Sequence, residues 1–143
     1  MSGFLLDTCV LSEFKEPKPD IGLYSWLANV DETTAFISAI TIGELRFGIA
    51  LLPNSANRRE LERWLTSDVM LNFAGRIVAF DHHVADRWGK IRAQARARGN
   101  TVPAIDAMLA ATAQHRNLTI VTRNEAHFAI TGVTVLNPWT SKT

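Results

Sequence analysis

Short apolar runs rich in β-branched residues recur along this chain, separated by longer segments with helical spacing, and that alternation leaves few architectures open. GFLL (3–6), TTAFISAI (33–40), RIVAF (76–80), LTIVT (118–122) and VTVLN (133–137) read as strands. Between them, helices are predicted over CVLSEFK (9–15), ended by Pro17 and Pro19, and over GLYSWLANV (22–30). Further helices are predicted over TIGELRFGIALL (41–52), closed by Pro53 and Asn54, over NRRELERWLTSDV (57–69), from about Asp81 to Arg98, and around Asp106. Strands alternating with helices point to an α/β fold, a central and mostly parallel sheet covered on both faces. At 143 residues the chain is expected to be one domain spanning 1–143, with EPKPD and ARGNT as turns within it.

No apolar run reaches the roughly 18 residues that cross a bilayer, and the amino terminus meets Asp7 too soon to hold a signal-peptide core. The single cysteine, Cys9, cannot form an internal disulfide and reads as buried filler. A cytoplasmic protein without membrane contact is the expectation.

Three acids fall where such a sheet binds ligands, outside the carboxyl ends of its strands. Asp7 follows the first strand, Glu44 is expected in the first turn of the helix after the second, and Asp106 in the first turn or two of the helix before LTIVT. Asp7 could simply cap the next helix, and Thr41-x-x-Glu44 matches a capping box. Asp106 follows Pro103, a good first helical residue, and could answer the helix dipole. That reading is weaker, because Val102, Pro103, Leu109 and Ala110 surround Asp106 and VPAIDAMLAATAQ is apolar nearly all round. A buried carboxylate needs its charge matched, by an Arg from elsewhere, a shifted proton or a metal ion. If the three acids share a site, a divalent cation is the economical answer, and oxygen ligands alone favour Mg²⁺ or Mn²⁺. Such an ion commonly serves phosphodiester hydrolysis, with metal-bound water as nucleophile.

The formal net charge of +1 is uninformative, but the charges are unevenly placed. RWGKIRAQARAR (87–98) is basic without an acid. It is either a solvated helix face or, through Arg87, Lys90, Arg92 and Arg96, a footprint for RNA phosphates.

FLLDTCVLSE, ISAITIGELRFGI, PAIDAMLAATA, LTIVTRNEAHF and GVTVLNPW together resemble the PIN-domain family. The closest likeness is to VapC-type ribonuclease toxins of bacterial toxin–antitoxin modules, including the FitB-like branch. These motifs run from residue 4 to residue 139. The resemblance implies a PIN-like three-layer α/β/α fold and the toxic component of a type II module, a Mg²⁺-dependent endoribonuclease in which Mn²⁺ can substitute. Asp7, Glu44 and Asp106 become its metal-binding and catalytic acids, with Thr8, Thr122 and Asn124 supporting them. It further implies a homodimer and a VapB-like antitoxin whose carboxyl-terminal segment covers the groove, with DNA reached only through that antitoxin. One position departs: His127 stands where the FitB-like pattern commonly carries a fourth acid, and Glu125 is acidic but out of register. Two other classes stay open. A non-catalytic RNA- or protein-binding module would lose nothing when the acids were neutralised. A Mg²⁺-binding phosphotransfer receiver domain would want an acidic pair after the first strand and a lysine after a later one.

Overall fold

The computed structural model describes residues 3–140. The order of elements is β1 (Gly3–Leu6), α1 (Thr8–Glu13), α2 (Ile21–Asn29), β2 (Ala35–Ser38), α3 (Ala39–Ala50), α4 (Ala56–Arg63), α5 (Met70–Asn72), β3 (Ile77–Val78), α6 (His82–Ala97), α7 (Ala104–Arg116), β4 (Leu118–Val121), α8 (Glu125–Ala129) and β5 (Val135–Leu136). The five strands form one sheet in the order β3-β2-β1-β4-β5, and every pairing is parallel. Among the described residues no helix is long and apolar enough to cross a membrane.

The short strands are apolar at consecutive positions because both faces of the sheet are covered. Side chains of a strand alternate between faces, so neighbours in sequence enter different cores. Leu5 and Ile120 join the layer of α6 and α7 with Leu109 and Phe128. Leu6 and Val121 face the opposite layer, with Val10, Leu23, Leu45 and Leu65. The expected three-layer arrangement follows, and the sheet is parallel throughout its described pairs.

Element ends differ from the sequence reading where a side chain captures the backbone. The second strand stops at Ser38 and does not run on to Ile40, because the Ser38 hydroxyl accepts from the Ile40 N–H at 3.0 Å and starts α3 there. Thr41 is therefore an interior helical residue, and the capping box expected at Thr41 and Glu44 does not form. Pro103 is the cap of α7, not its first helical residue. The helix predicted over 57–69 is interrupted: after α4 the turn Trp64–Val69 is π-helical. There Thr66 turns its hydroxyl back onto the carbonyls of Glu62 and Arg63.

A strap formed by the end of the described chain secures α2. Asp20 caps that helix, accepting from the Leu23 N–H at 3.0 Å, and also accepts from the Thr140 N–H at 3.0 Å and hydroxyl at 2.6 Å. The strap passes so close to Gly22 that a Cβ there would collide with the Pro138 carbonyl and Thr140. The Thr140 hydroxyl, with the backbone N–H groups of Leu23, Thr140 and Gly22, outweighs desolvation and holds the Asp20 carboxyl at about 2 against an ordinary 3.8. A carboxyl lowered on folding stabilises the fold above its unfolded pKa, and that contribution is lost as pH falls through the folded value. Asp20→Asn keeps a good cap without the charge, so its stability deficit relative to the parent should shrink between pH 5 and pH 2. Thermal melts across that range check this; a constant deficit would contradict it.

Candidate active site at the carboxyl edge of the sheet

The strand order reverses between β1 and β4: the chain leaves β1 towards β2 and β3, then returns to pair on its other side. Connections on either side of such a point diverge and leave a crevice at the carboxyl ends. Asp7, immediately after β1, is 5% exposed in that crevice, and its own N–H donates to Val121 O at 3.0 Å. One carboxylate oxygen of Asp7 accepts from the Thr8 N–H at 2.7 Å, and the other from the Thr122 hydroxyl at 2.7 Å. Thr122, just beyond β4, is fully buried and accepts in turn from the Asn124 N–H at 2.9 Å.

Glu44 reaches the same place from the second turn of α3, one turn later than expected because α3 starts at Ala39. The Thr8 hydroxyl donates to its Oε1 at 2.7 Å and lies 3.2 Å from the Thr41 hydroxyl. Asp106 comes from the first turn of α7. That helix runs down the sheet into β4 through Asn117, whose left-handed backbone (φ 54°) ends it. Its amino end is therefore at the carboxyl edge. Asp106 Oδ2 is 2.8 Å from His127 Nδ1, with the Asp106 side chain 16% exposed.

Electrostatics tie the three acids together. Burial pushes the Asp7 carboxyl above its ordinary value, and the charge of Asp106 adds to that push, while the bonds from Thr122 and Thr8 oppose it. Burial likewise raises Glu44 against the Thr8 hydroxyl, with further push from Asp7 and Asp106. Among the described residues no Lys or Arg pairs with any of the three. The lysine that a phosphotransfer receiver would need is therefore missing from the site. Cys9 Sγ lies 3.6 Å from Asp7, and burial, reinforced by that charge, drives the thiol up to about 12, so it stays protonated near neutral pH.

The donor set is carboxylate and hydroxyl oxygen, the chemistry of Mg²⁺ or Mn²⁺. Among the described residues no three His, Cys, Asp or Glu side chains gather closely enough to enclose an ion by themselves. Thr8 nevertheless joins two of the acids, its N–H donating to Asp7 and its hydroxyl to Glu44. Oxygen donors of this kind suit an octahedral ion that retains waters and exchanges some for phosphate oxygens.

Of the remaining residues singled out in the sequence, Thr8 and Thr122 are in the site. Asn124 contributes its backbone N–H, and none of its side-chain bonds is to an acid. The four basic residues of α6 do not share one cleft. Arg92 and Arg96 share a cleft with Asn100, Thr101 and Val102, four residues before Asp106, and Arg92 lies over the Trp88 ring at 4.8 Å. Arg87 instead stands beside Gln114 and Asn117 at the other end of α7. Lys90 pairs with Asp86 at 3.1 Å, near His82, His83 and His115. Arg87 and Arg96 are nine residues apart, about 14 Å of helical rise. Sequence reading missed His127 as the partner of Asp106, since 21 residues separate them. Its only signal was its place in the family pattern.

The family described as PIN domain matches residues 4–132. The chain is 40% identical over 135 residues to Toxin FitB of Neisseria gonorrhoeae (strain ATCC 700825 / FA 1090), covering 94% of this chain and 97% of that one. It is 33% identical over 135 residues to VapC ribonuclease Y4jK of Sinorhizobium fredii (strain NBRC 101917 / NGR234), covering 94% and 96%. Its structure resembles that of FitAB bound to an IR36 DNA fragment, with a TM-score of 0.91, 36% identity and 98% of each chain covered.

The hydroxyl bonds can be tested individually. Thr122→Val keeps the shape but leaves a buried carboxylate oxygen and the Asn124 N–H without their partner, which should cost about 1–3 kcal/mol. Thr8→Val removes a bond to the more exposed Glu44 and should cost less, about 0.5–1.5 kcal/mol. Urea unfolding of both variants measures the order, and equal losses would count against the burial argument.

Proposed function

The chain belongs to the PIN-domain family, and from that premise we propose that it is the toxin of a toxin–antitoxin pair, acting as a Mg²⁺- or Mn²⁺-dependent endoribonuclease. The observation that carries this reading is the set of three carboxylates at the switch point of the sheet, none of which pairs with a Lys or Arg among the described residues, the one basic side chain against them being His127 beside Asp106. A fold retains such unmatched charge when a cation completes it. Asp7, Glu44 and Asp106 would hold the ion.

When bound, the ion supplies an activated water and neutralises charge that develops on the phosphate. The chain's own groups set the geometry. Thr122 and the Thr8 N–H fix both oxygens of Asp7, and the Thr8 hydroxyl fixes one oxygen of Glu44, so neither carboxylate needs reordering as the substrate arrives. Arg92 and Arg96 would contact phosphates flanking the scissile one, Arg92 from its place over the Trp88 ring. An arginine from the antitoxin's carboxyl-terminal segment would bring an opposite charge to the same acids and close the site. The assembled form is a homodimer with that antitoxin, which carries contact with DNA.

Purified protein incubated with RNA and Mg²⁺ tests the reading. Asp7→Asn, Glu44→Gln and Asp106→Asn should each reduce cleavage about 100-fold or more, the equivalent of several kcal/mol of transition-state stabilisation. Each should also relieve growth arrest on expression. Mg²⁺ at about a hundred times its Kd should stabilise the parent by roughly 2.7 kcal/mol and the Asp106→Asn variant hardly at all. Undiminished cleavage in excess chelator would overturn the metal mechanism.

The split of the basic helix yields a separate expectation. Arg92→Gln with Arg96→Gln should weaken RNA binding and reduce the slope of log affinity against log salt by about 1.4, from about 0.7 for each phosphate contact to a single strand. Arg87→Gln with Lys90→Gln should leave both unchanged. Equal effects of the two pairs in a salt titration would show that position along α6 does not matter.

A further inference from the structure

Each acid of the site has a donor holding it in place. Asp7 has the Thr8 N–H and the Thr122 hydroxyl, and Glu44 has the Thr8 hydroxyl. For Asp106, the donor among the described residues is His127, whose Nδ1 is 2.8 Å from Oδ2. We propose that His127 is a positioning residue for the metal site: its Nδ1–H fixes Asp106 Oδ2 and thereby directs Oδ1 towards the ion. The inference rests on the metal-site reading above.

A carboxylate that binds a metal ion only accepts hydrogen bonds, so the proposed bond uses the ring tautomer with its proton on Nδ1. The backbone that carries the ring is well held. Phe128, the next residue, is fully buried in the core beside Leu109, which anchors α8 against α7. The His127 N–H donates to Asn124 O at 3.1 Å and fixes the turn that presents the ring. Among the described residues neither Glu125 nor Asn124 bonds to Asp106. Glu125 accepts from Asn137 Nδ2 at 2.9 Å, and Asn124 serves Thr122 through its backbone. At the position where the FitB-like pattern commonly carries a fourth acid, this chain thus carries a donor that orients an existing ligand. Hydrogen-bond partners of metal ligands fix ligand orientation, and their loss typically costs about 10–100-fold in metal affinity.

The test is Mn²⁺ titration of the folded protein followed by electron paramagnetic resonance, using the parent, His127→Ala, His127→Asn and Asp106→Asn. The His127 side chain is 51% exposed, so its truncation should leave the melting temperature near that of the parent. We expect the parent to bind Mn²⁺, Asp106→Asn to bind far more weakly, and His127→Ala to lose about 10–100-fold in affinity. His127→Asn, whose Nδ2 can stand where Nδ1 stood, should recover most of that loss. His127→Ala binding as tightly as the parent overturns the positioning role and leaves the metal site intact. Equal weakening of the Ala and Asn variants overturns it too, since the imidazole would then be a ligand and not an orienting donor. A parent that binds no better than Asp106→Asn overturns the metal site and this inference with it.

Discussion

The structure turns on one carboxylate, Asp7, held nearly out of water at the end of the central strand. Asp7 is buried because β1 is paired on both sides, by β2 and by β4, and is covered by helices on both faces. A charge in that position is unfavourable unless donors or an opposite charge surround it. Each neighbouring element contributes to that: α1 begins with the Thr8 N–H, the Thr122 hydroxyl follows directly on β4, and Thr8 carries the link onward to Glu44 on α3. The same bonds that make Asp7 tolerable in the fold align the site. Stability and function are therefore coupled here through a few hydroxyl groups.

The apolar segment around Asp106 makes sense along the length of its helix, not around its circumference. Ala107, Ala110, Ala111 and Ala113 are fully buried, and such small side chains let α7 sit close to both the sheet and α6. A helix enclosed in this way has no polar face on which to place a charge. Its first turn, however, emerges at the carboxyl edge of the sheet, where Asp106 meets the other acids, and its last turn carries His115 and Arg116 at the opposite edge. This polarity suits the helix dipole at both ends. It also divides the neighbouring basic helix α6, placing Arg92 and Arg96 on the side of the acids and Arg87 on the other.

Much of this was legible in the sequence, and the reasons can be traced residue by residue. Consecutive apolar residues in FLL and IV announced strands covered on both faces. The placing of Asp7, Glu44 and Asp106 after strands or at helix starts announced a common edge. Boundaries were less legible, as at Ser38, where one hydroxyl ends a strand two residues early and turns an expected cap at Thr41 into helix interior. The π-helical turn at Trp64–Val69 left no mark on the apolar spacing.

The sequence by itself determined the alternation of elements, the parallel three-layer sheet and the acids on its edge, because periodicity and chain order are properties of neighbouring residues. Only the tertiary structure decided which donors hold those acids. Thr122 lies 115 residues from Asp7, Thr8 lies 36 from Glu44, and His127 lies 21 from Asp106. No local preference encodes such pairs. They form because the strand order brings β4 beside β1 and packs α3 and α8 beside the crevice between them, and a hydrogen bond of 2.7 to 2.8 Å exists only once that packing is complete.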